Sequence, residues 1–69
     1  QKPSAFFYGV TVLQKLALIV GWAGDSWSYD GTSLKQVQSN TPVTLHATCQ
    51  DGKRFIVAGD EGFLGEYQP

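Results

Sequence analysis

The stretch "FIVAGDEGFLGEY" (55–67) joins an apolar run, a glycine-bracketed polar turn and a second run ending in an aromatic residue. Apolar, β-branched and aromatic runs bounded by turn residues read as strand, turn, strand. The same pattern stands earlier in the chain, in "LALIVGWAGDSWSYDG" (16–31). Sliding the chain by 38 residues aligns 4–31 with 42–69 over 28 positions without a gap. Lys15 then meets Lys53, Gly21 meets Gly59, Gly24 meets Gly62 and Tyr29 meets Tyr67. Apolar character carries over as well, Phe7 onto Leu45, Leu18 onto Ile56 and Ile19 onto Val57. An internal period of roughly 20–50 residues is the signature of arrays, solenoids and propellers, whose units hide their apolar faces against one another.

Reading outward from the two copies gives seven strands. The first four are "AFFYGVTV" (5–12), "LALIV" (16–20), "DSWSYD" (25–30) and "SLKQVQ" (33–38). "VTLHATC" (43–49), "RFIVA" (54–58) and "GFLGEY" (62–67) repeat the first three. "DGT" and "QDGK" carry Asp-Gly, which suits a tight hairpin with positive φ. The turn glycines Gly21, Gly24, Gly59 and Gly62 are expected to supply backbone freedom at the remaining corners. Propensity alone allows a helical turn over 13–20. Its counterpart, 51–58, contains Asp-Gly and reads as strand, so 13–20 is assigned likewise. The expected fold is all-β and antiparallel: one four-stranded sheet plus three strands of a second, in a single domain over 1–69.

Composition narrows the function. A chain of 69 residues buries only about 60% of its unfolded surface and commonly leans on a staple or a partner. One cysteine, Cys49, excludes an internal disulfide, and one histidine, His46, excludes a Cys/His zinc site within the chain. Association with other chains is the remaining source of added stability. A net charge of −1 and the lack of a basic stripe argue against nucleic-acid binding. The apolar run 5–24 is long enough to span a bilayer. Gln14 and Lys15 interrupt its middle, and a central lysine costs about 2.5–3.5 kcal/mol on insertion, so no membrane span is expected. An N-terminal Gln1 can cyclise after signal-peptide removal, which leans toward secretion.

The segment 28–67 resembles the blades of bacterial β-propellers of the photosystem II assembly-factor and neuraminidase-repeat kind. Asp30, Gly31, Thr32 and Ser33 match the blade's turn, Thr44 and Leu45 its strand start, and Val57, Ala58, Gly59, Asp60 and Gly62 its second hairpin. In the first copy Val20, Gly21 and Gly24 match, and Trp22 replaces the aspartate. The resemblance implies about one and three-quarter blades of four antiparallel strands. It does not imply a sialidase activity. Leu34 stands where the family turn has an aromatic residue, the strict Asp-box spacing is absent, and Arg54 is the single arginine.

No catalytic constellation appears in the residues themselves. His46 has no acid and hydroxyl beside it in sequence to form a triad. Asp60, Glu61 and Glu66, like Asp25 and Asp30, lack the regular spacing of a calcium loop and read as polar turn residues. "GWAG" and "GDEG" open no helix, so they lack a phosphate cradle. Aromatic residues are the binding or interface candidates: Trp22 at a turn tip, Trp27 with Tyr29 on one face of a strand, and Phe6 with Tyr8 on another. No enzyme, cofactor or metal is expected. The expected function is self-assembly into a ring or filament through blade packing and strand complementation. The alternatives are a lectin-like module that binds a glycan, and a fragment packed against the rest of a longer propeller.

Overall fold

The structure is a computed structural model that describes residues 7–37 and 41–69. The chain is all-β and antiparallel. Strands β1 (Phe7–Leu13), β2 (Leu16–Gly21), β3 (Ser26–Tyr29) and β4 (Leu34–Gln36) form one sheet in sequence order. Strands β5 (Leu45–Gln50), β6 (Phe55–Gly59) and β7 (Leu64–Tyr67) form the second. The segment 13–20 holds a turn and a strand, and no α-helix occurs among the described residues.

Several strands are shorter or shifted relative to the sequence reading, because turn bonds claim their ends. Asp25 donates its N–H to the Trp22 carbonyl, and Phe63 donates to Asp60, so β3 and β7 begin one residue after these. Ser33 belongs to the Asp30 turn and not to β4. Thr44 accepts from the Asp60 N–H at 2.9 Å, which delays β5 to Leu45. Residues 5, 6 and 38, assigned to strands from sequence, lie outside the described residues.

The second sheet repeats the first at a shift of 38. Phe7 pairs with Gly21 and Leu45 with Gly59; Val10 pairs with Ile19 and Thr48 with Val57; Ile19 pairs with Trp27 and Val57 with Gly65. A β-bulge interrupts β1 between Phe7 and Gly9, and β5 between Leu45 and Ala47. The corners recur too. Trp22–Gly24 and Asp60–Gly62 are single 3₁₀ turns, closed by Gly21 N–H to Asp25 O at 2.8 Å and Gly59 N–H to Phe63 O at 3.0 Å.

The glycine expectation is half corrected. Gly24 and Gly62 have φ of 80° and 74°, as a left-handed corner needs. Gly21 and Gly59 are extended, at φ −168° and −149°, and the second left-handed residue of each corner is Ala23 or Glu61. Gly59 is required for a different reason: a Cβ there would lie 2.6 Å from the Thr44 carbonyl oxygen.

The hairpins differ in how they are built. Gln14 and Lys15 both have positive φ (54° and 66°), the pattern of a type I′ turn, without the Asn or Gly that ordinarily relieves it. The Asp-Gly hairpins are better supplied. Gly31 and Gly52 take φ of 98° and 95°. Asp30 Oδ1 accepts the N–H groups of Thr32 and Ser33 at 2.8 and 2.7 Å. Asp51 Oδ1 accepts those of Lys53 and Arg54 at 2.9 and 3.0 Å. These turns are of the Asx kind, in which a carboxylate replaces a backbone acceptor.

One core lies between the sheets. It is made of Leu13, Leu18 and Val20 from the first and Leu45, Phe55 and Val57 from the second. Leu16, Val37, Val43, Phe63 and Tyr67 pack at its margin, and the Phe55 and Tyr67 rings stack 6.0 Å apart. Full burial of such a side chain contributes about 1.5–3 kcal/mol, offset by the entropy of ordering the chain. The sheets approach closely where β1 crosses β5. A Cβ on Gly9 would stand 3.4 Å from Ala47 Cα and Thr48 N. The Thr48 hydroxyl is buried here without a hydrogen-bond partner, and its counterpart in the first sheet is Val10.

Two outcomes follow from this fold. Thr48→Val removes an unpaired buried hydroxyl at nearly constant volume, so it should raise stability by about 1 kcal/mol in chemical denaturation. The backbone donors of Ser33 and Thr32 hold the Asp30 carboxyl below its ordinary 3.8, and those of Lys53 and Arg54 do the same for Asp51. A depressed folded-state value adds stability that is present above the unfolded value and is lost as pH falls through the folded one. Thermal melts should therefore be level above about pH 5 and fall below about pH 4, with a shallower fall in Asp30→Ala and Asp51→Ala.

Candidate interaction surfaces

Strand pairing assigns every residue of a sheet to one of its two faces. In the first sheet, Gly9, Thr11, Leu13, Leu16, Leu18, Val20, Ser26 and Ser28 share the face turned to the core. The opposite face carries two cross-strand rows. One runs Val10, Ile19, Trp27, Gln36; the other runs Val12, Ala17, Tyr29, Leu34. Seven of these eight side chains are apolar or aromatic. Val10 is 63% exposed and Val12 58%, with Tyr29 and Leu34 also exposed. Phe7, Tyr8, Gly9, Val10 and Ile19 line a shallow apolar depression at one end of this surface.

The second sheet shows what such a face is built for. Shifted by 38, Phe7, Ala17 and Ile19 become Leu45, Phe55 and Val57. Those three are buried in the core. The face that the second sheet buries is therefore the counterpart of the face that the first sheet turns away from the inter-sheet core.

The second sheet's own outward face is the counterpart of the one the first sheet buries. It carries Ala47, Cys49, Ile56, Ala58 and Leu64, of which Leu64 is 72% exposed. Cys49 is free and exposed. Polar groups dilute this surface. Leu13 and Leu16 of the first copy become Asp51 and Arg54, and Ser28 becomes Glu66. Arg54 Nε lies 3.1 Å from Asp51 Oδ2 and its Nη1 lies 3.3 Å from Glu66 Oε1.

A smaller cluster sits at the bulged ends of β1 and β5. The bulge residues Tyr8 and His46 are counterparts, and their ring centroids are 5.6 Å apart across the two sheets. His46 Nε2 lies 2.6 Å from Asp60 Oδ1, with both side chains about half exposed. Trp22, the counterpart of Asp60, is exposed at the corresponding corner, and the neighbouring Ala23 N–H donates to Thr44 Oγ1 at 3.2 Å. The His46–Asp60 pair was not legible in the order of residues, because 14 positions separate them.

The sequence candidates thus fall into two places. Tyr8 and Trp22 lie at the bulged end. Trp27 and Tyr29 share the open face of the first sheet. Trp27 is only 4% exposed and stands apart from the inter-sheet core; its Nε1–H donates to Asp25 Oδ1 at 2.8 Å. Tyr29 donates its hydroxyl to the Gly31 carbonyl at 3.0 Å. Phe6 lies outside the described residues. Asp60, Glu61 and Glu66 do not converge: Asp60 turns to His46 and Glu66 to Arg54. Among the described residues no three His, Cys, Asp or Glu side chains gather as a metal centre requires, and no helix is long and apolar enough to cross a membrane.

The two tryptophans should separate by acrylamide quenching. Trp22→Phe leaves the shielded Trp27 as emitter and should quench weakly. Trp27→Phe leaves the exposed Trp22, should quench strongly, and should cost about 1 kcal/mol through the lost bond to Asp25. Comparison with known proteins finds no family model, no curated protein and no solved structure that matches this chain.

Proposed function

We propose that this is a non-catalytic, self-associating interaction protein, in which the open apolar face of β1–β4 is covered by another copy of the chain. One observation carries the reading. The Leu45, Phe55 and Val57 face of the second sheet is buried, while its counterpart in the first sheet, Phe7, Ala17 and Ile19 flanked by Val10 and Val12, has no second sheet over it among the described residues. Phe7, Val10, Val12, Tyr29 and Leu34 stand exposed on this face around the buried Trp27, and exposed apolar surface gathered on one face marks an interaction site. The edges agree with this. Among the described residues β7 lacks the neighbour that β3 has in β4, so its outer edge is open to an added strand. Whether copies close into a ring or extend as a filament depends on the rotation between them. In a longer polypeptide the same surfaces would receive neighbouring blades of one propeller, and the mass of the natural protein separates that arrangement from association of copies.

A lectin-like reading draws on the other end of the molecule. There the exposed Trp22 corner and the Tyr8 ring accompany the His46–Asp60 pair, so aromatic surface and polar groups occur together. Tryptophan emission titrated with a glycan panel tests it, and a flat response to every glycan removes it.

Association is tested by light scattering on the purified chain over a wide concentration range. The mass should rise above that of one chain as concentration increases. The exposed double variant Val10→Lys, Val12→Lys should remain single and folded. A wild-type chain that stays single throughout the range would overturn the proposal.

A further inference from the structure

The geometry points to a specific mode for that association: copies join head to tail by repeating the chain's internal interface. The outward face of β5–β7 in one copy seats on the outward face of β1–β4 in the next. This inference rests on the self-association reading and adds its partner surface and polarity.

If the two sheets buried like faces, the molecule would be closed on itself and its outer surfaces would be alike. They bury unlike faces instead. Leu13, Leu18 and Val20 of the first sheet meet Leu45, Phe55 and Val57 of the second. At a shift of 38, the outward residues Ile56 and Ala58 are the counterparts of Leu18 and Val20, and the outward residues Ala17 and Ile19 are the counterparts of Phe55 and Val57. The molecule therefore ends in the two halves of the contact it already contains. Such a heterologous contact propagates until it closes or runs on.

The internal contact also fixes the register. Gly9 meets the backbone of Ala47 and Thr48 at 3.4 Å. Repeated between molecules, Ala47 of one copy lies against Gly9 and Val10 of the next. The Tyr8–His46 ring contact becomes His46 of one copy against Tyr8 of the next. Ala58 takes the place of Val20, which is fully buried in the internal interface, and Val10 takes that of Thr48. Cys49 takes the place of Thr11, which is half-buried on the core-facing side, so it becomes shielded relative to its exposed state in a single chain. The ion-paired Asp51, Arg54 and Glu66 stand where Leu13, Leu16 and Ser28 stand internally, which makes the joint between copies weaker than the internal one.

The test uses two full-length variants on exposed positions, each blocking one end: Val10→Arg and Ala58→Arg, with folding checked by circular dichroism. Head-to-tail association predicts that each variant alone has the mass of a single chain. An equimolar mixture should give a two-chain species that grows no further, because its two free ends are both blocked. In that mixture, thiol labelling read by mass spectrometry should be slowed at Cys49 of the Val10→Arg chain and unchanged at Cys49 of the Ala58→Arg chain. Association of Ala58→Arg alone would mean that two open β1–β4 faces meet each other; association of Val10→Arg alone would mean the same for the β5–β7 faces. Either result, or a mixture that stays single while the wild type associates, overturns the head-to-tail mode and leaves self-association standing. A wild type that never associates overturns the proposed function itself.

Discussion

The structure depends on the burial of two unlike sheet faces against each other. A small sheet has two faces and can hide only one against a single neighbour. In this chain the hidden face of the first sheet and the hidden face of the second are not counterparts, although the two sheets share one strand order and register over their first three strands. That choice sets the direction of the whole molecule. It gives the chain a polarity from one surface to the other, and it leaves each end shaped like something the interior already accommodates.

The two ends are not equally apolar, and the difference has a physical basis. The first sheet keeps a valine and an aromatic residue in each outward row, with Ile19 in one and Leu34 in the other. The second replaces a Leu13/Leu16 pair by Asp51 and Arg54 and adds Glu66. Exposed ion pairs of this sort contribute little to stability, so their effect is on hydration of the surface. Ile56, Ala58 and Leu64 remain among them, so the surface stays partly apolar without being an unbroken apolar sheet. Charged groups on an exposed sheet are a common means of restraining indiscriminate edge pairing.

The fold was largely legible because the repeat is a physical regularity before it is a structural one. Apolar, β-branched and aromatic runs bounded by turn residues located the strands, and a 38-residue shift paired each with its counterpart. Asp-Gly located two hairpins correctly, since only glycine takes φ near 100° without strain. Positive φ at Gln14, Lys15, Ala23 and Glu61 was not legible, because none of these residues favours it; the surrounding ladders impose it. Gly59 was located but misread, since its requirement is a carbonyl in another segment and not its own dihedrals. At the surfaces, the order of residues placed Trp27 and Tyr29 together on one face. It did not distinguish the buried indole from the exposed ring, and it missed His46–Asp60 entirely. Those depend on which corner folds beside which bulge, and local pattern carries no record of that.

The bulges at Tyr8 and His46 have a consequence for how this scaffold tolerates change. A regular strand residue belongs to one packing face or the other, so altering it disturbs a neighbour. The extra residue of a bulge drops out of that alternation. Its side chain stands on the rim, where Tyr8 and His46 meet each other and His46 meets Asp60. A change of size or charge at either position is therefore felt by its partner across the rim while the two packing faces are spared, and a row of such units would display a line of coupled groups along a single border.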